Sequence, residues 1–148
     1  MIGVLIVTHG DFGKELLKSA ELIVGKQSHV MTLGLFHGDS VESLRENISK
    51  AIDELDEGDG VLVFVDLYGG SPSNATAMNM EKTLTNSRFE CITGVNLPMV
   101  LEALTMRTSY TLERLKEHCK QMGHLGIKDL YRELYSSEEH IKKANDWR

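Results

Sequence analysis

The chain has 148 residues, 41% hydrophobic and 26% charged, a balance that suits one folded domain and argues against disorder over most of its length. A net charge of −6 argues against a nucleic-acid partner, whose phosphates need a basic face, and against an anionic membrane surface. No apolar run is long enough to span a bilayer, and no signal peptide is apparent. The two cysteines, Cys91 and Cys119, lack metal or disulfide spacing, so the expected location is a reducing cytoplasm.

Strand and helix signals alternate along the chain. IGVLIVT (2–8) is a near-continuous apolar run, as a strand buried on both faces should be. Over 11–24 the period changes, with Phe12, Leu16, Leu17, Ala20, Ile23 and Val24 on one helical face and Gly25 as a stop. VMTLGLF (30–36) reads as a second strand. Ser40 to Leu55 reads as a second helix, opened by a capping box of Asp39 and Glu42. After the turn EGDG, VLVFVDL (61–67) is the most hydrophobic strand. Then YGGSPSNATAMNM opens a third helix, with Ser71 as N-cap and Pro72 in the first turn. FECITGV (89–95) gives a fourth strand, NLPMVLEALTMR a fourth helix, and residues 111–122 a fifth. Such alternation implies an α/β fold with a parallel sheet, helices on both faces and right-handed crossovers.

In a parallel sheet the carboxyl ends of the strands share one edge, and ligands bind there where the strand order reverses. The residues at those ends are His9, His37, Asp66 and Asn96. With strand order 2-1-3-4 the first and third strands are neighbours, and His9 faces Asp66. A carboxylate on one ring nitrogen fixes the imidazole tautomer and leaves the other nitrogen free to attack. Two helix starts flank the pair, at Gly10–Asp11 and at Gly70–Ser71–Pro72–Ser73, where unpaired N–H groups favour a phosphoryl group. Phosphate carried on the histidine is the chemistry this combination supports. His37 reads mainly as part of a turn, and His29, His118, His124 and His140 as solvated surface residues. The methionines at 78, 80, 99 and 106 read as core packing.

Several near-motifs fail on spacing. GDFGKE has two residues between its glycines where a P-loop needs four, and Glu15 where it needs Ser or Thr. GGSPS has Ser73 in place of the last glycine of a nucleophile elbow, and Pro72 lacks the N–H of an oxyanion hole. No G-x-G-x-x-G opens the first helix. His9, His37 and Asp66 have no further histidine or carboxylate to complete a metal site, so neither metal nor cofactor is expected.

Three stretches, IVTHGDFGKELLKSAELIVG (6–25), GVLVFVDLYGGSPSNAT (60–76) and ITGVNLPMVLEAL (92–104), closely resemble the enzyme IIA component of the mannose family of the bacterial phosphoenolpyruvate-dependent sugar phosphotransferase system. The resemblance runs over about residues 1–130, leaving 131–148 as a helical or loose tail. It implies a flavodoxin-like, doubly wound sheet and a cytoplasmic homodimer that exchanges a C-terminal strand, for which GIKDL (126–130) is the candidate. It implies that His9 accepts a phosphoryl group from the histidine-containing phosphocarrier protein and passes it to enzyme IIB, which serves the membrane permease components in sugar uptake. Asp66 falls on the family's partner aspartate, and Ser71 on the serine that follows its paired glycines. With no IIB domain following in this sequence, IIB is expected as a separate protein. The alternatives are the phosphodonor subunit of dihydroxyacetone kinase, a metal-dependent or serine hydrolase built on His9, Asp66 and Ser71, and a non-catalytic regulatory module.

Overall fold

A computed structural model of the chain describes residues 1–82 and 88–135. Its elements are β1 (Gly3–His9), α1 (Phe12–Val24), β2 (Val30–Leu35), α2 (Val41–Leu55), β3 (Val61–Val65), α3 (Ser71–Lys82), β4 (Phe89–Thr93), α4 (Leu97–Met106), α5 (Leu112–Leu125) and α6 (Leu130–Leu134). The four strands are parallel and ordered β2-β1-β3-β4, as read from the sequence.

Side chains alternate across the pleat, and both faces are covered, which is why β1 and β3 are apolar at successive positions. Val4 and Ile6 of β1 join Leu62 and Phe64 of β3 beneath α1, α4 and α5, where Leu16, Val100, Ala103, Leu115 and Cys119 complete one layer. Leu5 and Val7 join Val61, Val63 and Val65 on the other face, against Leu44, Ile48 and Ile52 of α2 and Ala75 of α3. Burial pushes the Cys119 thiol up to about 12, and that of Cys91 likewise to about 12, so both stay protonated at neutral pH.

The local details depart from expectation in four places. The buried positions of α1 are Gly13, Leu16 and Ala20, while Phe12 and Ile23 are exposed. Gly13 packs so closely on β1 that a Cβ there would lie 3.0 Å from Ile6 Cγ2, and this contact turns neighbouring Phe12 outward. The cap of α2 is Ser40, whose side chain accepts from Ser43 N–H at 3.0 Å; Asp39 instead accepts from Phe36 N–H. In α3 the first helical bond runs from Asn74 N–H to the Gly70 carbonyl at 2.9 Å, so Gly70 occupies the cap and Ser71 is the first helical residue. GIKDL forms no strand within the described chain. Gly126 N–H bonds back to Met122 O and ends α5, and the Asp129 side chain caps α6 through Arg132 N–H. β4 is left as an edge strand, and an exchanged strand needs a second copy to pair with. Residues 131–134 belong to α6, and the rest of the tail from Ser136, with His140, lies outside the described residues.

One charged residue lies inside. Arg107, 3% exposed, donates to the carbonyls of Ser28 and His29 and to Gln27 Oε1 at 2.6–3.1 Å, and to the Ile2 carbonyl at 3.4 Å. It ties the α1–β2 connection to the start of β1, and burial holds its guanidinium below the usual arginine range. Removing it strands several buried carbonyls. Arg107→Ala is expected to cost roughly 3 kcal/mol, read as a lower urea midpoint at unchanged slope.

Candidate functional site

β1 and β3 are neighbours in register Val7↔Val65, so the residues that follow them emerge together at the carboxyl edge of the sheet. There Asp66 Oδ2 lies 2.9 Å from the His9 backbone N–H and 2.9 Å from His9 Nδ1. One carboxylate oxygen thus holds both the main chain and the ring of the same residue. A carboxylate only accepts, so Nδ1 carries the hydrogen. Asp66 is largely enclosed, at 13% side-chain exposure, whereas the His9 side chain is 49% exposed. Nε2 makes no hydrogen bond among the described residues. Asp66 Oδ1 is buried and likewise without a partner among them.

The turn after His9 is built by residues whose roles are steric. Gly10 has φ +55°, in the left-handed region where glycine is unstrained, and its N–H donates to the Leu35 carbonyl at 2.8 Å. The Gly10 amide, expected among the phosphate donors, is therefore already engaged, and Gly10 contributes the turn instead. Gly34 makes this approach possible, because a Cβ at that position would collide with the Gly10 carbonyl oxygen. Reading the sequence had overlooked Gly34; the available signal was a lone glycine inside an apolar strand. Thr8 is fully buried, and its hydroxyl accepts from Gly13 N–H at 2.8 Å, satisfying a first-turn amide of α1. The Asp11 side chain makes no cap bond.

The start of α3 is different. With Gly70 at the cap and no N–H on Pro72, the amides of Gly70, Ser71 and Ser73 remain without partners among the described residues, and Gly70 itself lies against the His9 ring. A Cβ at Gly70 would lie 3.0 Å from His9 Cε1 and 3.5 Å from Nε2.

Other strand-end residues lie apart from this pair. Asn96 caps α4 by accepting from Met99 N–H and donates to the Gly123 carbonyl. His37 is exposed on the β2–α2 loop. His29 and His118 are not simply solvated: their Nε2 atoms lie 2.5 Å from Glu57 and 2.8 Å from Glu102. Among the described residues no three His, Cys, Asp or Glu side chains converge as a metal-ligand set. The site is shallow. Beside it lies a depression of about 160 Å³ lined by Gly10, Lys14 and Phe36, and a larger cavity of about 770 Å³ lies near Gly60 and Arg88 at the opposite edge of the sheet. Phe12, Phe36, Leu67 and Tyr68 stand exposed around the rim, Tyr68 at 84%.

Residues 3–120 match the family model described as the PTS system fructose IIA component. The chain belongs to the mannose-type enzyme IIA family of the sugar phosphotransferase system. This enzyme IIA chain is 32% identical over 145 residues to the fructose-specific EIIA component of Bacillus subtilis strain 168, covering 98% of this chain and 94% of that protein. It is 35% identical over 130 residues to the mannose-specific EIIAB component of Escherichia coli K12, covering 87% of this chain but only 39% of that longer protein. The crystal structure of an EIIA component from Streptococcus agalactiae superposes with a TM-score of 0.81 at 30% identity, covering 88% of this chain and 98% of the other. No helix among the described residues of this enzyme IIA is long and apolar enough to cross a membrane.

The Asp66 contact fixes the ring nitrogen that carries the hydrogen. In ¹⁵N NMR at mildly alkaline pH, His9 is expected as a single Nδ1–H tautomer, and Asp66→Ala is expected to give a mixture of both tautomers.

Proposed function

We propose that this enzyme IIA accepts a phosphoryl group on Nε2 of His9 from the histidine-containing phosphocarrier protein and passes it to enzyme IIB, which uses it in sugar uptake through the membrane permease components. The observation that carries the reading is a half-exposed ring anchored through Nδ1 to Asp66, with Nε2 open beside the unpaired amides of α3.

The Nε2 lone pair attacks phosphorus in line. The donor's P–N bond breaks, and its electron pair returns to the donor imidazole. His9 then carries Nε2–PO₃ and Nδ1–H together, which makes the ring positive. The enclosed Asp66 carboxylate balances that charge where solvent is scarce. The amides of Gly70, Ser71 and Ser73 bind the equatorial oxygens, helped by the partial positive charge of the helix start. Positioning and charge stabilisation are what phosphoryl transfer asks of a protein. The leaving group is itself an imidazole, so the transfer is close to balanced; in the onward step to IIB the Nε2–P bond breaks and its electron pair returns to the His9 ring.

A shallow site suits this task, since two proteins in turn must bring their own reacting atoms to Nε2. The apolar rim of Phe12, Phe36, Leu67 and Tyr68 is the surface on which they dock, and it excludes water from the bond being exchanged. We also assign the protein to the cytoplasm, as a homodimer. α6 buries none of its residues in its own chain, and Leu130 and Leu134 stand exposed, open to a partner surface.

Incubation with phosphoenolpyruvate, enzyme I and the phosphocarrier protein is expected to place an acid-labile phosphate on the peptide containing His9, and His9→Ala is expected to abolish it. Label on His37 in that variant would reassign the acceptor.

A further inference from the structure

The two glycines that precede α3 differ in what they require. Gly69 has φ +83°, and a Cβ there would meet nothing within 4 Å. Its glycine serves the backbone. Gly70 has an ordinary φ, so its backbone admits a side chain without strain, yet a Cβ would come within 3.0 Å of His9 Cε1 and 3.5 Å of Nε2. Cε1 lies between the two ring nitrogens, so Gly70 abuts the ring edge that links the Asp66 bond to the open nitrogen. Leu67 Cδ2 would lie 3.8 Å from the same Cβ, an ordinary contact, so the His9 ring is the tight neighbour.

We infer that Gly70 is a positioning residue for His9: its bare Cα forms one jaw of a clamp whose other jaw is Asp66, and a side chain there would displace the imidazole from the carboxylate. A contact of 3.0 Å is tighter than nearly all carbon contacts of a Cβ, so either the backbone or the ring gives by a few tenths of an ångström. The ring is half exposed and held by one hydrogen bond, whereas Gly70 is held by the first bond of α3. The ring is therefore what yields, by a few tenths of an ångström and toward solvent. This stretches the 2.9 Å Nδ1–Oδ2 bond to Asp66 and shifts Nε2 relative to the start of α3.

The inference rests on the reading of His9 as the phosphoryl acceptor, and the test separates the two. Wild type and Gly70→Ala are phosphorylated with the phosphocarrier protein and, separately, with phosphoramidate, a donor too small to need a docking surface; ¹⁵N NMR follows the His9 ring. Gly70→Ala is expected to fold with the wild-type Tm, to lose about tenfold in rate with both donors, and to show a second ring tautomer beside Nδ1–H that wild type lacks. Wild-type rates with both donors would overturn the inference. So would a loss confined to the protein donor, which would make Gly70 part of the docking surface. A variant that fails to fold would also overturn it, since glycine would then be a demand of the backbone. Wild type that takes no phosphate from either donor contradicts the acceptor reading instead, and the ring signal alone then decides the role of Gly70.

Discussion

A single oxygen atom, Asp66 Oδ2, accepts from both the main chain and the ring of His9. The backbone bond locates the end of β1 relative to β3, and the ring bond sets the orientation of the imidazole at that end. Ring and strand are thus registered to the same atom, and few degrees of freedom remain. The other oxygen, Oδ1, is buried without a partner among the described residues, a state that costs free energy in the resting chain. On the proposed reading this cost has a use. A carboxylate with unsatisfied capacity in a poorly solvated site favours any process that makes the facing ring positive, which phosphorylation of Nε2 does.

The rest of the fold is arranged to leave that pair alone. Gly34 and Gly10 let the chain turn sharply away from the ring, Thr8 satisfies α1 from below, and Gly70 keeps a side chain off the ring edge. In the first turn of α1 the Gly13 and Glu15 amides are engaged by Thr8 and Asp11, while at the start of α3 the amides of Gly70, Ser71 and Ser73 have no partner among the described residues. Two helix starts of similar appearance in the sequence thus have different roles. The apolar rim fits the same logic. Phe12, Phe36, Leu67 and Tyr68 offer exposed apolar area, with Asp11 and Lys14 lining the depression beside Phe36.

Much of this was legible before any coordinates. IGVLIVT and VLVFVDL announce strands buried on both faces, and strand alternation with helices brings His9 and Asp66 to one edge. Long-range contacts that do not follow from strand order were not legible. Nothing near Gly34 announces that it must admit the Gly10 carbonyl. Arg107 looks like an ordinary basic residue at a helix end, because its acceptors lie some 80 to 105 positions earlier in the chain. Capping shifted by one residue at Ser40 and at Gly70; at Ser40 the neighbouring Asp39 is already engaged with Phe36 N–H. The segment GIKDL carries its own helix cap in Asp129, and its fate as a strand depends on a second copy that no single sequence contains.

The central claim is that Asp66 holds Nδ1 and thereby dictates which nitrogen receives phosphate. Two-dimensional ¹H–³¹P and ¹⁵N NMR of the phosphorylated protein tests it most directly. The account predicts a phosphoryl group on Nε2 of His9, with Nδ1 still protonated. Phosphate on Nδ1 would contradict it, because that nitrogen would have had to abandon the carboxylate on which the arrangement depends.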